Sequence, residues 1–179
     1  MTDPGSVRLQ TARLVLRPTA ARDAGRAFEI QSDWNVTRML AMAGFPPDRN
    51  EIDQWFAAHP HEWRAGEAFR FAVEREERLI GVVDVDAICD GGGSLGYWFE
   101  QSSWGRGVAT EAARAVVDFA FREVGLSQLR AGHAADNPSS GRVLVKLGFR
   151  HVDTIELQSR SRGEIIAQCR YTLRRPTQL

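Results

Sequence analysis

The chain has 179 residues, with 23 Lys and Arg against 23 Asp and Glu, for a formal net charge of zero. Such a chain has no overall field to gather nucleic acid or an anionic membrane, so any anion it holds must be held by local groups. With 43% apolar and 26% charged residues it has a globular composition, and a core of this size needs neither disulfides nor a structural metal.

Cys89 and Cys169 form no CxxC pair, which fits a reducing compartment and no metal cluster; each is expected to be a small buried apolar residue. Met1 to Gln10 is polar and charged, unlike a secretory signal, and no run approaches the roughly 20 apolar residues of a membrane span. The cytoplasm is the expected location. No repeat, low-complexity tract or Gly/Ser linker divides the chain. One domain over residues 1–179 is therefore expected, its core spanning about 8–174, with a short loose tail at each end.

In chain order, Arg13 to Arg17 alternates polar and apolar residues as a strand does, and Pro18 stops it. Asp23 to Gln31 predicts a helix with Ala24, Ala27 and Phe28 inward. Gly44 to Pro47 breaks the pattern, and Asn50 to Trp63 opens as a helix with Asn50 as N-cap. Phe69 to Arg75 and Leu79 to Ile88 flank Glu76-Glu77-Arg78 as an antiparallel pair, Asp90 to Gly93 is a turn, and Leu95 to Phe99 is the next strand. Val108, Ala112, Ala115, Val116, Phe119 and Ala120 recur at helical spacing, and Gly125 ends that helix. Ser127 to Ala134 reads as a strand. Asn137-Pro138 then caps and starts a helix with Val143, Leu144 and Leu147 on one stripe and Gly148 at its end. Phe149 to Leu157 and Glu164 to Leu173 close the chain as strands. This order predicts an α+β fold: a mixed, mostly antiparallel central sheet with helices on both faces.

The most informative segment is the glycine-containing turn Trp104-Gly105-Arg106-Gly107-Val108-Ala109, between a strand and the long helix. Its glycines let backbone approach a ligand, the first helical N–H groups have no intrahelical partner, and Arg106 adds a positive charge. A pyrophosphate fits that arrangement, although a tight βα turn with nothing bound would read the same way. The GxxxxGK(S/T) phosphate loop is absent, and Gly105-Arg106-Gly107 is not followed by the glycine a dinucleotide fold needs.

With these residues in view, the chain resembles the GNAT superfamily of N-acetyltransferases, and within it the branch that acetylates ribosomal-protein N-termini. The family's pyrophosphate signature, (Q/R)xxGx(G/A), falls on Trp104, Gly105, Arg106, Gly107, Val108 and Ala109, with Trp104 in place of the usual Gln or Arg, at the cost of one polar contact. The signature NxxSxxVxxKxGF is met at Asn137, Ser140, Val143, Lys146, Gly148 and Phe149. Thr11 to Pro18 (TARLVLRP) is similar to the opening strand of that branch.

The resemblance implies acetyl-coenzyme A as co-substrate, no metal, and direct attack by an amine in a ternary complex. It implies that the backbone of Trp98, Phe99 and Glu100 meets the pantetheine arm, that Trp104 to Thr110 holds the pyrophosphate, and that Asn137 hydrogen-bonds pantetheine. Helix capping is the competing role for Asn137. Ser140 is the candidate donor to the leaving thiolate. Many relatives use a tyrosine there, and none stands between Tyr97 and Tyr171. For a general base, Asp84 and Asp86 share a strand face, Glu100 ends the next strand, and His133 precedes Asn137. Trp34, Trp55 and Trp63 lie where the family builds its acceptor cleft, with core packing as the alternative. A free α-amine, with a reference pKa of about 7.7–8.0, is roughly a tenth neutral at pH 7, which favours a protein or peptide N-terminus as acceptor. A small amine acceptor and a non-catalytic acyl-coenzyme A sensor stay open, as do monomer and homodimer. Nucleic-acid and membrane partners are not expected.

Overall fold

The computed structural model describes residues 7–176, so most of each expected tail lies outside the described residues. The chain forms β1 (Leu9–Gln10), β2 (Val15–Pro18), α1 (Ala24–Gln31), α2 (Trp34–Thr37), α3 (Arg49–Ala65), β3 (Phe69–Arg75), β4 (Arg78–Cys89), β5 (Gly92–Phe99), α4 (Val108–Arg122), β6 (Gln128–Ala134), α5 (Pro138–Lys146), β7 (Arg150–Ser159) and β8 (Glu164–Arg174). The strands make one sheet in the order β1-β2-β3-β4-β5-β6-β8-β7. Every neighbouring pair is antiparallel except β5–β6, which is parallel. This is the mixed, mostly antiparallel α+β sheet the element order predicts.

Two consecutive residues of β4 show how the layers are built. Val82 packs with Ala24, Ala27, Ile52 and Phe56 of α1 and α3. Val83 packs with Val108, Ala112 and Val116 of α4. Successive strand side chains point to opposite faces, so α1 and the first half of α3 cover one face and α4 the other. Of the stripe expected on α4, Val108, Ala112, Val116, Phe119 and Ala120 are buried, and Ala115, at its margin, is half-buried.

α3 departs from expectation at both ends. Its N-cap is Asp48, not Asn50: the Asp48 carboxylate accepts from the Glu51 N–H at 3.1 Å, so the helix starts one residue before Asn50. It also runs through Pro60 to Ala65, although proline lacks the N–H that continues the ladder. Phe56 and Trp63, 0% and 3% exposed, anchor it on either side of that break. The Trp63 ring lies 5.0 Å from Phe69, 5.1 Å from Phe71 and 5.9 Å from Phe119, in the middle of the core. Trp63→Ala is expected to cost about 3–5 kcal/mol, read as a fall of roughly 10 °C in Tm in a thermal melt.

β1 and α2 are too short to give a periodic signal, so the sequence carries no sign of either. β5 begins at Gly92 rather than Leu95, because Gly92 to Ser94 pair with β4 on one side and β6 on the other. Cys89 is exposed and Cys169 half-buried, so neither is the buried apolar residue expected. Cys89 ends β4 beyond the reach of the core, and Cys169 sits in the outer β7–β8 hairpin. Among the described residues no helix is long and apolar enough to cross a membrane, and no three His, Cys, Asp or Glu side chains are grouped to hold a metal.

Candidate active site

The central feature is a divergence of strands. β5 and β6 pair only at Gly92–Gln128, Gly93–Leu129 and Ser94–Arg130. Beyond that point β5 stays paired to β4 as far as Phe99, and β6 stays paired to β8 as far as Ala134. The sheet is therefore held open from outside, and backbone groups of Leu95 to Phe99 face a gap instead of a strand. A cavity of about 1040 Å³ occupies the gap, large enough for an extended ligand.

One end of the cavity is the glycine turn. Gly105, Gly107, Val108, Ala109 and Thr110 line it, whereas the Arg106 side chain does not. Gly105 and Gly107 are left-handed at φ +72° and +76°, a conformation side chains resist, and a Cβ at Gly105 would meet no protein atom within 4 Å. α2, α3 and α5 each have a side chain capping their first turn; α4 has Gly107 and no side-chain cap. The first helical N–H to find an acceptor is that of Glu111, on the Gly107 carbonyl at 3.0 Å. The amides of Val108, Ala109 and Thr110 are left to a ligand, at the positive end of the helix dipole. The Trp104 indole N–H donates to the Phe99 carbonyl at 3.0 Å. Tryptophan here ties the loop to the end of β5, so an internal contact replaces the polar one that Gln or Arg would supply.

In mid-cavity, Ser140 lies one turn into α5. Its Oγ is 2.8 Å from the Tyr97 hydroxyl, which also reaches the Ser140 carbonyl at 3.1 Å. Burial pushes the Tyr97 phenol up to about 12, so it stays protonated. Asn137 Oδ1 accepts from the Ser140 N–H at 3.3 Å, which is the capping role, and its amide NH2 remains free to donate to a ligand. Gly141 permits the close packing: a Cβ there would stand 2.7 Å from His133 Nε2. His133 is buried, with Nδ1 2.8 Å from the Ala134 carbonyl and Nε2 3.3 Å from the Tyr171 hydroxyl. Both ring nitrogens are committed to structure.

The other wall belongs to Arg70, which is 8% exposed. Its guanidinium reaches Asp84 at 2.7 Å, Glu62 at 2.9 Å and Asp86 at 3.3 Å, and lies 5.1 Å from the Trp55 ring centroid. Burial pushes the Asp84 carboxyl up to about 6, against the pull of Arg70. Asp84 stands opposite Gly96 on β5, with an oxygen 2.5 Å from where a Gly96 Cβ would be. Tyr97 follows Gly96 and points to the other face. A carboxylate with a near-neutral pKa and a hydroxyl pair thus stand on opposite faces of one opening through the sheet. That arrangement can take a proton on one side and give one on the other.

The Acetyltransferase (GNAT) domain family model matches residues 13–150, which contain the open strand pair, the glycine turn and Ser140. The chain belongs to the GNAT acetyltransferase family. An uncharacterized N-acetyltransferase of Bacillus subtilis, YoaA, is 32% identical over 148 residues, covering 79% of this chain and 82% of that one. The ribosomal protein uS5-alanine N-acetyltransferase of Escherichia coli is 29% identical over 159 residues, covering 80% and 78%. RimL, a ribosomal alpha-N-protein acetyltransferase solved in complex with coenzyme A, shares the fold with a TM-score of 0.85 over 94% of this chain and 98% of its own, at 15% identity.

Several expected site residues of this GNAT acetyltransferase lie elsewhere. Glu100 does not line the cavity. Its carboxylate is gripped by Arg26, by Arg78 at 3.1 Å and by the Ser103 hydroxyl at 3.2 Å, because the chain turns away from β5 at that residue. Glu100→Gln is expected to leave kcat within about twofold of wild type and to cost about 1–2 kcal/mol of stability, measured on one preparation by initial rates and thermal melting. Of the three tryptophans expected at an acceptor cleft, only Trp55 lines the cavity. Trp63 is core, and Trp34, 39% exposed, packs on Phe45 with ring centroids 4.8 Å apart.

Sequence reasoning also missed groups placed around the cavity of this acetyltransferase. The expected gap in tyrosines between Tyr97 and Tyr171 is real, yet those two residues themselves converge on α5. Met39 to Gly44 forms a cavity wall, held by the β7–β8 turn: the Arg160 N–H donates to the Ala41 carbonyl at 2.7 Å and Arg162 Nε to the Arg38 carbonyl at 2.7 Å. No motif marks that wall; its only signal is the apolar run Met39-Leu40-Ala41-Met42-Ala43, which leads into the breaker segment at Gly44.

Proposed function

We propose that this acetyltransferase passes the acetyl group of acetyl-coenzyme A directly to a primary amine in a ternary complex, and that the acceptor is a protein or peptide N-terminal α-amine. The observation that carries the reading is the placement of Asp84 and the Tyr97–Ser140 pair on opposite faces of the gap between β5 and β6. The uncapped turn at Gly105 to Thr110 fits a pyrophosphate, and the unpaired edge of Leu95 to Phe99 fits an amide-bearing arm laid along it as an added strand.

In this reading Asp84 takes the proton from the incoming ammonium, leaving nitrogen free to attack the thioester carbonyl. The new C–N bond forms as the C–S bond breaks. Ser140 gives its hydroxyl proton to the departing sulfur, Tyr97 supports the serine oxygen by donating to it, and the second proton, shed by the acylated nitrogen, returns to that oxygen through water while Asp84 releases its own to solvent. Asn137 offers its free amide to the arm. Most of the acceleration comes from holding amine and thioester together, with general base catalysis adding to it. An α-amine, with a reference pKa of about 7.7–8.0, lies within reach of a base near 6, whereas a lysine side chain at about 10.4 does not. The kinship to a ribosomal-protein alanine N-acetyltransferase points the same way.

The test is acceptor-dependent thiol release from acetyl-coenzyme A, with peptides bearing free N-termini set against lysine side chains, polyamines and amino acids, and Gly107→Trp as a control. Release stimulated by peptide N-termini and abolished in the control is expected. A strong preference for lysine or polyamine would overturn the acceptor assignment.

A further inference from the structure

The opening segment Thr11 to Leu14 lies outside the cavity, and the transfer chemistry leaves it without a role. It is nonetheless bonded to the glycine turn, nearly a hundred residues away in sequence. Thr11 Oγ1 donates to Glu111 Oε1 at 2.6 Å, and the Arg13 backbone N–H donates to the same oxygen at 3.1 Å. Arg13 Nε donates to Glu111 Oε2 at 2.8 Å, with Nη2 2.6 Å from that oxygen. Arg13 Nη1 donates to the Arg106 carbonyl at 3.0 Å. The turn is braced by the Leu14 N–H on Thr11 Oγ1 and the Thr11 N–H on the Leu14 carbonyl, both at 3.0 Å.

These bonds act on the α4 N-terminus in two ways. Glu111 sits in the first turn of α4, where a carboxylate suits an empty helix but repels an anion bound at the same N-terminus. Its side chain is only 19% exposed, so water screens it incompletely, and the Arg13 fork is the group that neutralises it. The second effect concerns direction. In a trans peptide the carbonyl and the following N–H point opposite ways. By drawing the Arg106 carbonyl outward, Arg13 turns the Gly107 N–H away from itself, toward the cavity that Gly107 lines.

We propose that Arg13 is a positioning residue for the coenzyme pyrophosphate: it cancels Glu111 and orients the Arg106–Gly107 peptide, so that the N-terminus of α4 presents donors and an unopposed positive field. This rests on the reading of residues 104–110 as the acetyl-coenzyme A site. Arg13 is itself 45% exposed, so its replacement leaves the core intact.

The experiment compares wild type, Arg13→Gln, Glu111→Gln and the double variant by calorimetric titration with acetyl-coenzyme A, by steady-state kinetics and by thermal melting. Arg13→Gln is expected to raise Kd and KM for acetyl-coenzyme A about tenfold, with KM for the amine within about twofold and a melting curve that remains cooperative. Adding Glu111→Gln is expected to bring the affinity back to within about threefold of wild type, since the uncompensated charge has gone. Binding by Arg13→Gln within twofold of wild type would overturn the inference. So would a double variant no better than Arg13→Gln, which would leave Arg13 as a brace alone. Wild-type protein that gives no binding signal would sink the assignment of the loop, and this inference with it; wild-type binding beside an unaffected Arg13→Gln sinks only the latter.

Discussion

Asp84→Asn is expected to lower kcat by about a hundredfold or more, without lowering Tm. Asparagine keeps the shape of aspartate but cannot take a proton. The wild-type kcat/KM should rise with pH through about 6, where Asp84 ionises and can take the ammonium proton, whereas without that base the rate rises only as the amine itself loses its proton. In the variant the rise through about 6 should vanish and only the amine limb remain. The stability side has a definite sign. The folded-state pKa of Asp84, about 6, is raised above its ordinary 3.8, so the fold favours the protonated carboxyl. Its contribution to stability is full below about pH 4 and is lost as pH rises to about 6. At neutral pH the charged carboxylate is thus held at a cost that asparagine avoids. Arg70 keeps Glu62 and Asp86 as partners in the variant. Lost activity with unchanged or higher Tm is the signature of a group kept for chemistry. An unaltered pH profile would remove Asp84 from the mechanism.

Gly107→Trp is expected to raise Kd for acetyl-coenzyme A about a hundredfold or more while the protein still folds. Gly107 holds φ at +76° and lines the cavity as the N-cap of α4. A side chain in the left-handed region costs about 1–2 kcal/mol, which should appear as a fall of a few degrees in Tm. The larger effect is local. A Cβ at Gly107 would stand 3.6 Å from Arg13 Nη2, so an indole there crowds the Arg106–Gly107 peptide and the first amides of α4, where charge-assisted hydrogen bonds to a phosphate would carry much of the affinity for such a group. Titration and melting on the same sample separate the two effects. Undiminished binding would mean that the turn does not hold the pyrophosphate.

Much of this is legible along the chain because it depends on neighbours in sequence. The α4 stripe, the Asn137-Pro138 start of α5 and the glycine turn are local patterns, set by helical spacing, capping chemistry and backbone freedom. The residues from Gly105 to Thr110, together with Asn137 and Ser140, are named by motif alone, although the side chain of Arg106 lies off the cavity. The misses are long-range. Trp55 and Trp63 sit on one helix, and the way α3 crosses the sheet sends one to the cavity and the other to the core. Glu100 looks like a free acid in sequence because Arg26, 74 residues away, is invisible from its surroundings there.

Element order, the uncapped glycine turn at the start of α4 and membership of an acyl-transferring family are therefore written in local sequence. Which acid faces the opening is a matter of tertiary structure. An unbroken ladder from the Arg75–Arg78 pair would set Arg70 opposite Val83; a bulge between Val73 and Glu74 sets it opposite Asp84 instead. One residue of slip exchanges the two faces of a strand, and with them the buried and the chemical side chains. That slip answers to packing across the whole sheet, including the Glu100 N–H on the Ile80 carbonyl at 2.8 Å, and not to any pattern among the residues that carry it.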